Sequence, residues 1–238
     1  MKISNRLQQI EKMVISQYDH IWDCCCDHGL LGFALLSSQA NSKVHFVDIV
    51  AELMADVEKK LERFYPNSVW KTHCLDVAKL PLTQYKGKHL IIIAGVGGDL
   101  MIKFIEAIHQ QHKNLNIDFL LCPVHHQFSL RQKLIKLDFT LKDEVLIEEN
   151  RRFYEILLVS SLSEKLDESL DKKHNKISAV GNKIWQSTSS KQAEVVDKYL
   201  QKTISHYQRI QQGSLQATLK SKENNVQHII DAYRAIKR

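Results

Sequence analysis

The ten residues Asp23-Cys24-Cys25-Cys26-Asp27-His28-Gly29-Leu30-Leu31-Gly32 constrain this chain more than any other stretch. Apolar Ile21 and Trp22 precede them, and a helix-like apolar pattern (Leu30, Leu31, Phe33, Ala34, Leu35, Leu36) continues from them. Val44-His45-Phe46-Val47-Asp48 then reads as a second strand that ends in a carboxylate. Strand, tight turn, helix and strand, with an acid at the second strand's tip, form a unit that binds nucleosides. The turn's backbone meets the ligand and the acid meets the ribose hydroxyls. Glycine usually fills such a turn; here Cys25 and Asp27 hold two of those places. Asp48 also suits a plainer use, as the cap of the helix that follows it.

The alternation continues. Strand-like runs lie at 21–26, 43–48, 69–74, 88–94 and 117–122, with helical patterns at 30–39, 50–63, 98–111 and 127–137 between them. This order predicts an α/β fold, a parallel sheet with helices on both faces. Leu90-Ile91-Ile92-Ile93-Ala94 is apolar throughout, as a strand buried on both faces should be. Two further runs, 139–147 and 152–161, follow without a helix between them and predict an antiparallel hairpin at the sheet edge. Residues 163–190 are polar and read as a linker. Beyond Gln192 apolar residues recur at helical spacing up to Ile210, Gly213 suits a helix end, and a second helical pattern runs to Ile236. The expected organisation is a catalytic domain over 1–162, a linker over 163–190 and a helical hairpin over 191–238. Removing that hairpin should then leave a folded domain.

Charge is concentrated in the last segment. The chain of 238 residues carries a net +6, and residues 190–238 hold nine Lys and Arg against four acids. A basic appendage on a near-neutral body points to an anionic partner, nucleic acid first, or more simply to a solvated helical face. No run of about 18 apolar residues predicts a membrane span. The N-terminus lacks an apolar signal core, so a cytoplasmic protein is expected. Five cysteines, three of them consecutive, read as reduced thiols rather than a disulfide framework. Cys24 and Cys26 with His73 and Cys74 lack paired metal-ligand spacing, so no metal is expected.

Further features fall at strand ends. Asp23 is placed to accept from the turn's own backbone or from a cofactor amine. Asp76 follows the third strand, where an acid either meets an adenine amino group or caps a turn. Ala94-Gly95-Val96-Gly97-Gly98 puts three glycines beside a buried strand, at the edge where open α/β sheets bind ligands.

With these features in order, the chain resembles the class I S-adenosylmethionine-dependent methyltransferases. More narrowly, it is similar to the bacterial enzymes that methylate N1 of adenine 22 in tRNA. Ser4-Asn5-Arg6-Leu7-Gln8-Gln9-Ile10 matches that family's Ser-x-Arg-Leu-x-x-Ile opening. Asp23, Asp27, His28 and Leu31 match its first turn, and Val47-Asp48-Ile49-Val50 its Gly-Glu-Val-Val. Ile93-Ala94-Gly95-Val96-Gly97-Gly98 matches Ile-Ala-Gly-Met-Gly-Gly and is the most specific segment. Leu130-Arg131 and Phe153-Tyr154-Glu155-Ile156 match the late strand region. Three departures stand out. Cys25 replaces a glycine beside the cofactor's methionine end, Pro123-Val124 replaces Pro-Asn, and Glu149-Asn150-Arg151-Arg152 replaces Glu-x-Gly-Lys.

The resemblance implies a Rossmann-like seven-stranded methyltransferase sheet with a C-terminal α-helical hairpin, S-adenosylmethionine as cofactor and tRNA as partner. It implies cofactor contacts from Asp23, Cys25, His28, Gly29, Asp48, Ile49, Asp76, Val77, Ala94 and Gly95. Asp27 would stabilise charge on the base, with Gly95 and Gly97 shaping its pocket. Arg6, Arg131, Arg151, Arg152, Lys198, Lys202, Arg209 and Lys220 would meet RNA. The alternatives are a methyltransferase of another RNA base or a small molecule, and a non-catalytic RNA-binding protein derived from the fold.

Overall fold

The computed structural model describes residues 3–15, 17–161, 176–187, 189–216 and 226–236. Its centre is a seven-stranded sheet in the order β3-β2-β1-β4-β5-β7-β6. Strands β1 (His20–Cys24), β2 (Lys43–Asp48), β3 (Trp70–Cys74), β4 (His89–Ala94) and β5 (Ile117–Cys122) are parallel, and β7 (Arg152–Ser160) and β6 (Thr140–Glu149) close one edge as an antiparallel hairpin. Helices α2 (Leu30–Ser38), α3 (Ala51–Phe64), α4 (Gly98–Gln111) and α5 (Gln127–Lys136) make the crossovers. The strand order reverses between β1 and β4, which opens the ligand crevice of doubly wound sheets at the strands' carboxyl ends.

Alternation along each strand builds two cores. Leu90 and Ile92 of β4 join Ile21, Val44 and Phe46 in a cluster that packs α2 and α3, while Ile91 and Ile93 join Trp22, Val47 and Phe119 in a second that packs α4 and α5. Helix α1 (Asn5–Lys12) is capped by Ser4, whose side chain accepts from the Leu7 N–H, and it buries Ile10 against the first cluster. No helix was expected at 5–12, although Ser4 followed by Leu7 and Ile10 is a legible start signal.

The second face carries a chain of histidines, part-buried at His20 and buried at His45, His73 and His89. His20 Nε2 donates to the Lys86 carbonyl (3.1 Å), so its Nδ1 must accept from His45 Nε2 (3.1 Å), and His45 Nδ1 must accept from His73 Nε2 (2.9 Å). Beside it, Trp22 Nε1 donates to His89 Nδ1 (3.1 Å) while His89 Nε2 donates to the Tyr85 carbonyl (3.1 Å). Every link needs a neutral ring. Burial, the largest cause in each case, pushes His45 down to about 2 and His73 and His89 down to about 4. His73, His20, Lys43 and His89 lower His45 further, and Lys71 and Lys43 lower His73.

The C-terminal segment departs from the expected appendage. Helix α6 (Ser190–Gln216) runs straight through Gly213, which ends nothing; a helix interior accepts one glycine at about 1 kcal/mol. Helix α7 (Gln227–Arg234) packs against α6, and together they bury Val196, Tyr199, Leu200, Ile229 and Tyr233 on Phe128, Leu146, Ile184 and Trp185 in a third cluster. Leu219, part of the expected second helical pattern, lies outside the described residues. The described part of the expected linker is also built in. Ile177 joins the second core cluster, Lys176 bridges to Thr140, and a short 3₁₀ turn at Lys183–Trp185 seats Ile184 and Trp185. Strand β1 stops at Cys24, so Cys25 and Cys26 belong to the turn rather than to the expected strand over 21–26.

Candidate active site

The turn after β1 is shaped by its non-glycine residues. Cys25 (φ 56°) and Asp27 (φ 50°) both lie in the left-handed region, as does Gly29 (φ 73°) at the start of α2. A left-handed residue bearing a Cβ costs roughly 1–2 kcal/mol, so two of them in three positions mark a turn held by its surroundings. The holders are acids. Asp23 Oδ2 accepts from the Gly32 N–H (2.8 Å), and Asp48 Oδ2 accepts from the Asp27 N–H (3.1 Å). Asp48 Oδ1 accepts from the Val50 N–H (3.1 Å) and closes a local turn, but the N-cap of α3 is Val50 and no side chain caps that helix, so the cap role read from the sequence is not Asp48's. A carboxylate offers about four acceptor sites, and the backbone takes two of them here. Gly32 has no room for a side chain: a Cβ would sit 2.2 Å from the Phe46 ring.

Above this turn lies a cavity of about 330 Å³ at the switch point between β1 and β4. Asp23, Cys25, Asp27 and His28 line one side, Ala94, Gly95 and Val96 the other, with Arg6 of α1 across the opening. Asp27 and His28 stand at the exposed rim, His28 Nε2 3.5 Å from Asp27 Oδ1. Asp23 is buried, and burial pushes its carboxyl up to about 7, with the Asp48 charge adding and the Gly32 N–H opposing. The Cys25 thiol is pushed up to about 11 by burial first, then by Asp48, Asp23 and Asp76. Cys25 therefore stays a protonated thiol. Gly95 (φ 87°) faces open space, since a Cβ there would meet nothing within 4 Å.

The remaining expected residues divide clearly. Asp76 accepts from the Ala78 N–H (2.9 Å) and caps a 3₁₀ turn, and Val77 buries its side chain in the second core. Ile49 is 70% exposed at the tip of β2. Gly97 does not line the cavity. A Cβ on it would lie 2.2 Å from the His125 ring, so it serves close packing with the loop after β5. A larger cleft of about 1030 Å³ borders 178–187, α6 and α7, away from the strand ends.

Arg131 is the clear correction among the expected RNA contacts. It is wholly buried, with Nη2 2.7 Å from Glu144 Oε2 and Nε 2.7 Å from Glu155 Oε2. Glu155 also accepts from Tyr199 Oη of α6, and Glu144 from the Asn182 and Lys183 N–H groups. An arginine at 0% exposure cannot reach a phosphate. It instead ties α5, the β6–β7 hairpin, the 176–187 segment and α6 together.

The other cations lie nearer the surface. Arg6 stacks over the Tyr154 ring (5.0 Å). Asn150 (φ 51°) and Arg151 (φ 61°) form the tip of the β6–β7 hairpin, a left-handed pair that sets a tight two-residue turn. Because β7 pairs with β5 only from Leu157 onward, that tip projects past the carboxyl end of β5. Arg152 follows it, exposed. Lys202 donates to the Arg151 carbonyl (3.1 Å) and lies over the Phe153 ring (5.2 Å). Lys198 pairs with Glu194 on its own helix, and Arg209 Nε donates to the Ser205 carbonyl. Lys220 lies outside the described residues. The sequence reading gave no role to Asp99, His125 and His126; His126 Nδ1 lies 2.6 Å from Asp99 Oδ2, outside the cavity lining.

Residues 3–157 match the family model described as a methyltransferase domain. The chain belongs to that family. Solved structures similar to this methyltransferase over nearly its whole length include M. capricolum TrmK bound to S-adenosyl-homocysteine (TM-score 0.70, 19% identity, 98% of this chain and 97% of that chain). The B. subtilis m1A22 tRNA methyltransferase TrmK is similar at TM-score 0.68 and 20% identity, covering 98% and 97%. So is Streptococcus pneumoniae Sp1610, a putative tRNA (m1A22) methyltransferase bound to S-adenosyl-L-methionine, at TM-score 0.69 and 21% identity, covering 98% of both chains. No curated protein matches the chain. Among the described residues, no group of three or more His, Cys, Asp or Glu is arranged for a metal ion, and no helix is long and apolar enough to cross a membrane.

Proposed function

We propose that this protein methylates N1 of an adenine in tRNA, adenine 22 by its likeness to the relatives, with S-adenosylmethionine as the methyl donor. The observation that carries the reading is the extent of that likeness. It takes in the sheet and the C-terminal helices together, at 98% coverage, in proteins named for that reaction. The donor set fits the cofactor. Asp48 keeps acceptor sites for ribose hydroxyls, Asp76 stands one strand away for the adenine, and exposed Ile49 offers a flat apolar contact between them. Asp23 would meet the amino group: a cation beside it stabilises the ionised form that burial now disfavours. Cys25 is the residue that narrows the methionine end.

S-adenosylmethionine supplies an electrophilic methyl group on a sulfonium. N1 of neutral adenine already carries a lone pair, so the reaction needs no general base. The protein's task is to hold N1 in line with the methyl group and to stabilise the cationic product base. Asp27 stands at the cavity rim with its carboxylate exposed, suited to the second task. N1 lies on the Watson–Crick edge, so a paired target must leave its stack to reach the rim. Arg6, Arg151, Arg152 and Lys202 would meet the RNA backbone around the opening, with Lys198 further along α6.

Nucleoside mass spectrometry of tRNA incubated with the protein and S-adenosylmethionine, with mass mapping of ribonuclease fragments to place the modified residue, tests this. The expected product is 1-methyladenosine at position 22. Methylation of another base or of no base overturns it.

A further inference from the structure

The loop between β5 and α5, residues 123–126, runs beside the glycine turn and is bonded to it. The Val124 N–H donates to the Val96 carbonyl (3.0 Å) and the Gly98 N–H to the His125 carbonyl (2.9 Å). Val96 lines the cofactor cavity, so the loop continues that wall beyond the lining residues. Val124 is 39% exposed and His125 is exposed as well.

The His125 ring is seated, although it is exposed. Its Cε1 lies 2.2 Å from the point where a Cβ of Gly97 would stand, so glycine at 97 is what lets an imidazole lie against the turn. The His126 ring packs on it edge-on, with centroids 4.4 Å apart at 68°. His126 is held in turn, Nδ1 2.6 Å from Asp99 Oδ2. An exposed ring already kept in place loses little rotamer freedom when another ring stacks on it.

The reaction says what would stack there. The N1 lone pair lies in the plane of adenine, so the base must enter the opening edge-first, with its faces towards the walls. Asp23, Cys25, Asp27 and His28 form one wall, and Ala94, Gly95 and Val96 the other. Gly95 leaves the second wall bare, because a Cβ there would meet nothing within 4 Å. A flat ring lying along that wall would meet Val124 and His125 where it leaves the cavity. The other rings at the opening are engaged: the Arg6 guanidinium lies over Tyr154 (5.0 Å), and His28 Nε2 is 3.5 Å from Asp27 Oδ1.

We propose that His125 is the ring on which the displaced adenine stacks, a substrate contact that sets the angle at which N1 meets the methyl group. This rests on the tRNA reading above and deepens it. Imidazole is among the side chains that stack on unpaired bases, and stacking needs no charge.

The test follows single-turnover methylation and binding of a tRNA transcript bearing adenine 22, for the parent, His125→Ala and His125→Phe. Alanine should lower the methylation rate per unit of tRNA roughly five- to hundredfold, the range of one lost base–aromatic stack. Phenylalanine, which keeps a ring, should recover most of that loss. Alanine should leave the slope of log tRNA affinity against log salt at the parent value, since a stacked ring releases no counterions. S-adenosylmethionine affinity, read by calorimetry, should be the same in all three proteins. Four results overturn the stacking role: an alanine variant as fast as the parent, a phenylalanine variant as slow as alanine, a salt slope shallower by about 1 in the alanine variant, which marks a phosphate contact, or a loss of S-adenosylmethionine affinity with alanine, which marks a support for the glycine turn. A parent that binds S-adenosylmethionine but methylates no tRNA overturns the tRNA reading, and this contact with it.

Discussion

Acid should weaken the fold through its buried histidines before it touches the surface. Folded His45, His73 and His89 are held neutral, at about 2, 4 and 4, against an ordinary value of 6.5. Their folded pKa values are depressed, so below about pH 6.5 the unfolded chain binds protons that the folded chain does not. Their stabilisation is complete above 6.5 and is lost as pH falls towards 4. Between pH 7.5 and 5.5 each contributes a loss of about 1.4 kcal/mol, about 4 together. Part-buried His20 is shifted in the same direction, with burial the main cause. Asp23 opposes them. Its carboxyl, pushed up to about 7, takes up a proton in the folded state over this window, which adds about 2 kcal/mol of stability on acidification. The buried cysteine thiols, all raised further from neutrality, do not titrate here. The parent should thus lose about 2 kcal/mol between pH 7.5 and 5.5, and Asp23→Asn about 4, from a total of about 5–15. Urea denaturation at the two pH values measures both. If stability is level from pH 7.5 to 5.5 in the Asp23→Asn protein, the histidine rings are not held neutral by this network and the reasoning fails.

Asp48→Asn should weaken S-adenosylmethionine binding roughly tenfold or more, since a hydrogen bond to a charged group contributes about 1.5–3 kcal/mol; calorimetry reads the dissociation constant, and an unchanged value removes Asp48 from the ribose. Asp27→Asn should slow single-turnover methyl transfer while leaving cofactor affinity near normal, because its charge matters most once the base becomes cationic; a mutant rate equal to the parent's rules the role out. Truncation after Ser189 should abolish cooperative folding: it uncovers Trp185, Ile184 and Phe128 and removes Val196, Tyr199, Leu200 and Tyr233, at about 1.5–3 kcal/mol for each buried apolar side chain. A truncated chain with a sharp thermal transition that binds S-adenosylmethionine would restore the independent domain read from the sequence.

The sheet was legible because period and burial agree. Leu90 to Ile93 face two cores in alternation, and each helical pattern between strands covers one of them, so the order of elements follows directly. The acids at strand tips were legible for a related reason: Asp23, Asp48 and Asp76 hold backbone N–H groups that any such turn must satisfy. Composition misled at the C-terminus. Residues 163–190 are polar, yet Ile177, Ile184 and Trp185 are enough to dock the described part. Arg131 misled for the opposite reason. Arginine is read as a surface charge, and only the fold reveals Glu144 and Glu155 converging on it from β6 and β7.

That misreading changes how the basic helix is understood. An appendage on a loose connection would hold RNA wherever the tether allowed, and its grip would not specify which base reaches the methyl donor. Here Arg131 joins Glu155, and Glu155 joins Tyr199 of α6, with all three side chains buried. Breaking one partner of such a network costs about 3–5 kcal/mol, because a buried charge is left uncompensated. The exposed side of α6, with Lys202 bonded to the Arg151 carbonyl at the tip of the β6–β7 hairpin, is therefore fixed relative to β5 and the cavity beside it. A rigid link of this kind turns affinity for the RNA backbone into position of the base. That suits the proposed reaction, whose chemistry would ask for alignment of N1 with the methyl group and little else. Buried ion pairs contribute little net stability compared with apolar packing. The physical reason to keep charged residues at this junction is then the geometry they enforce between the methyl-transfer edge and the helix that carries the basic face.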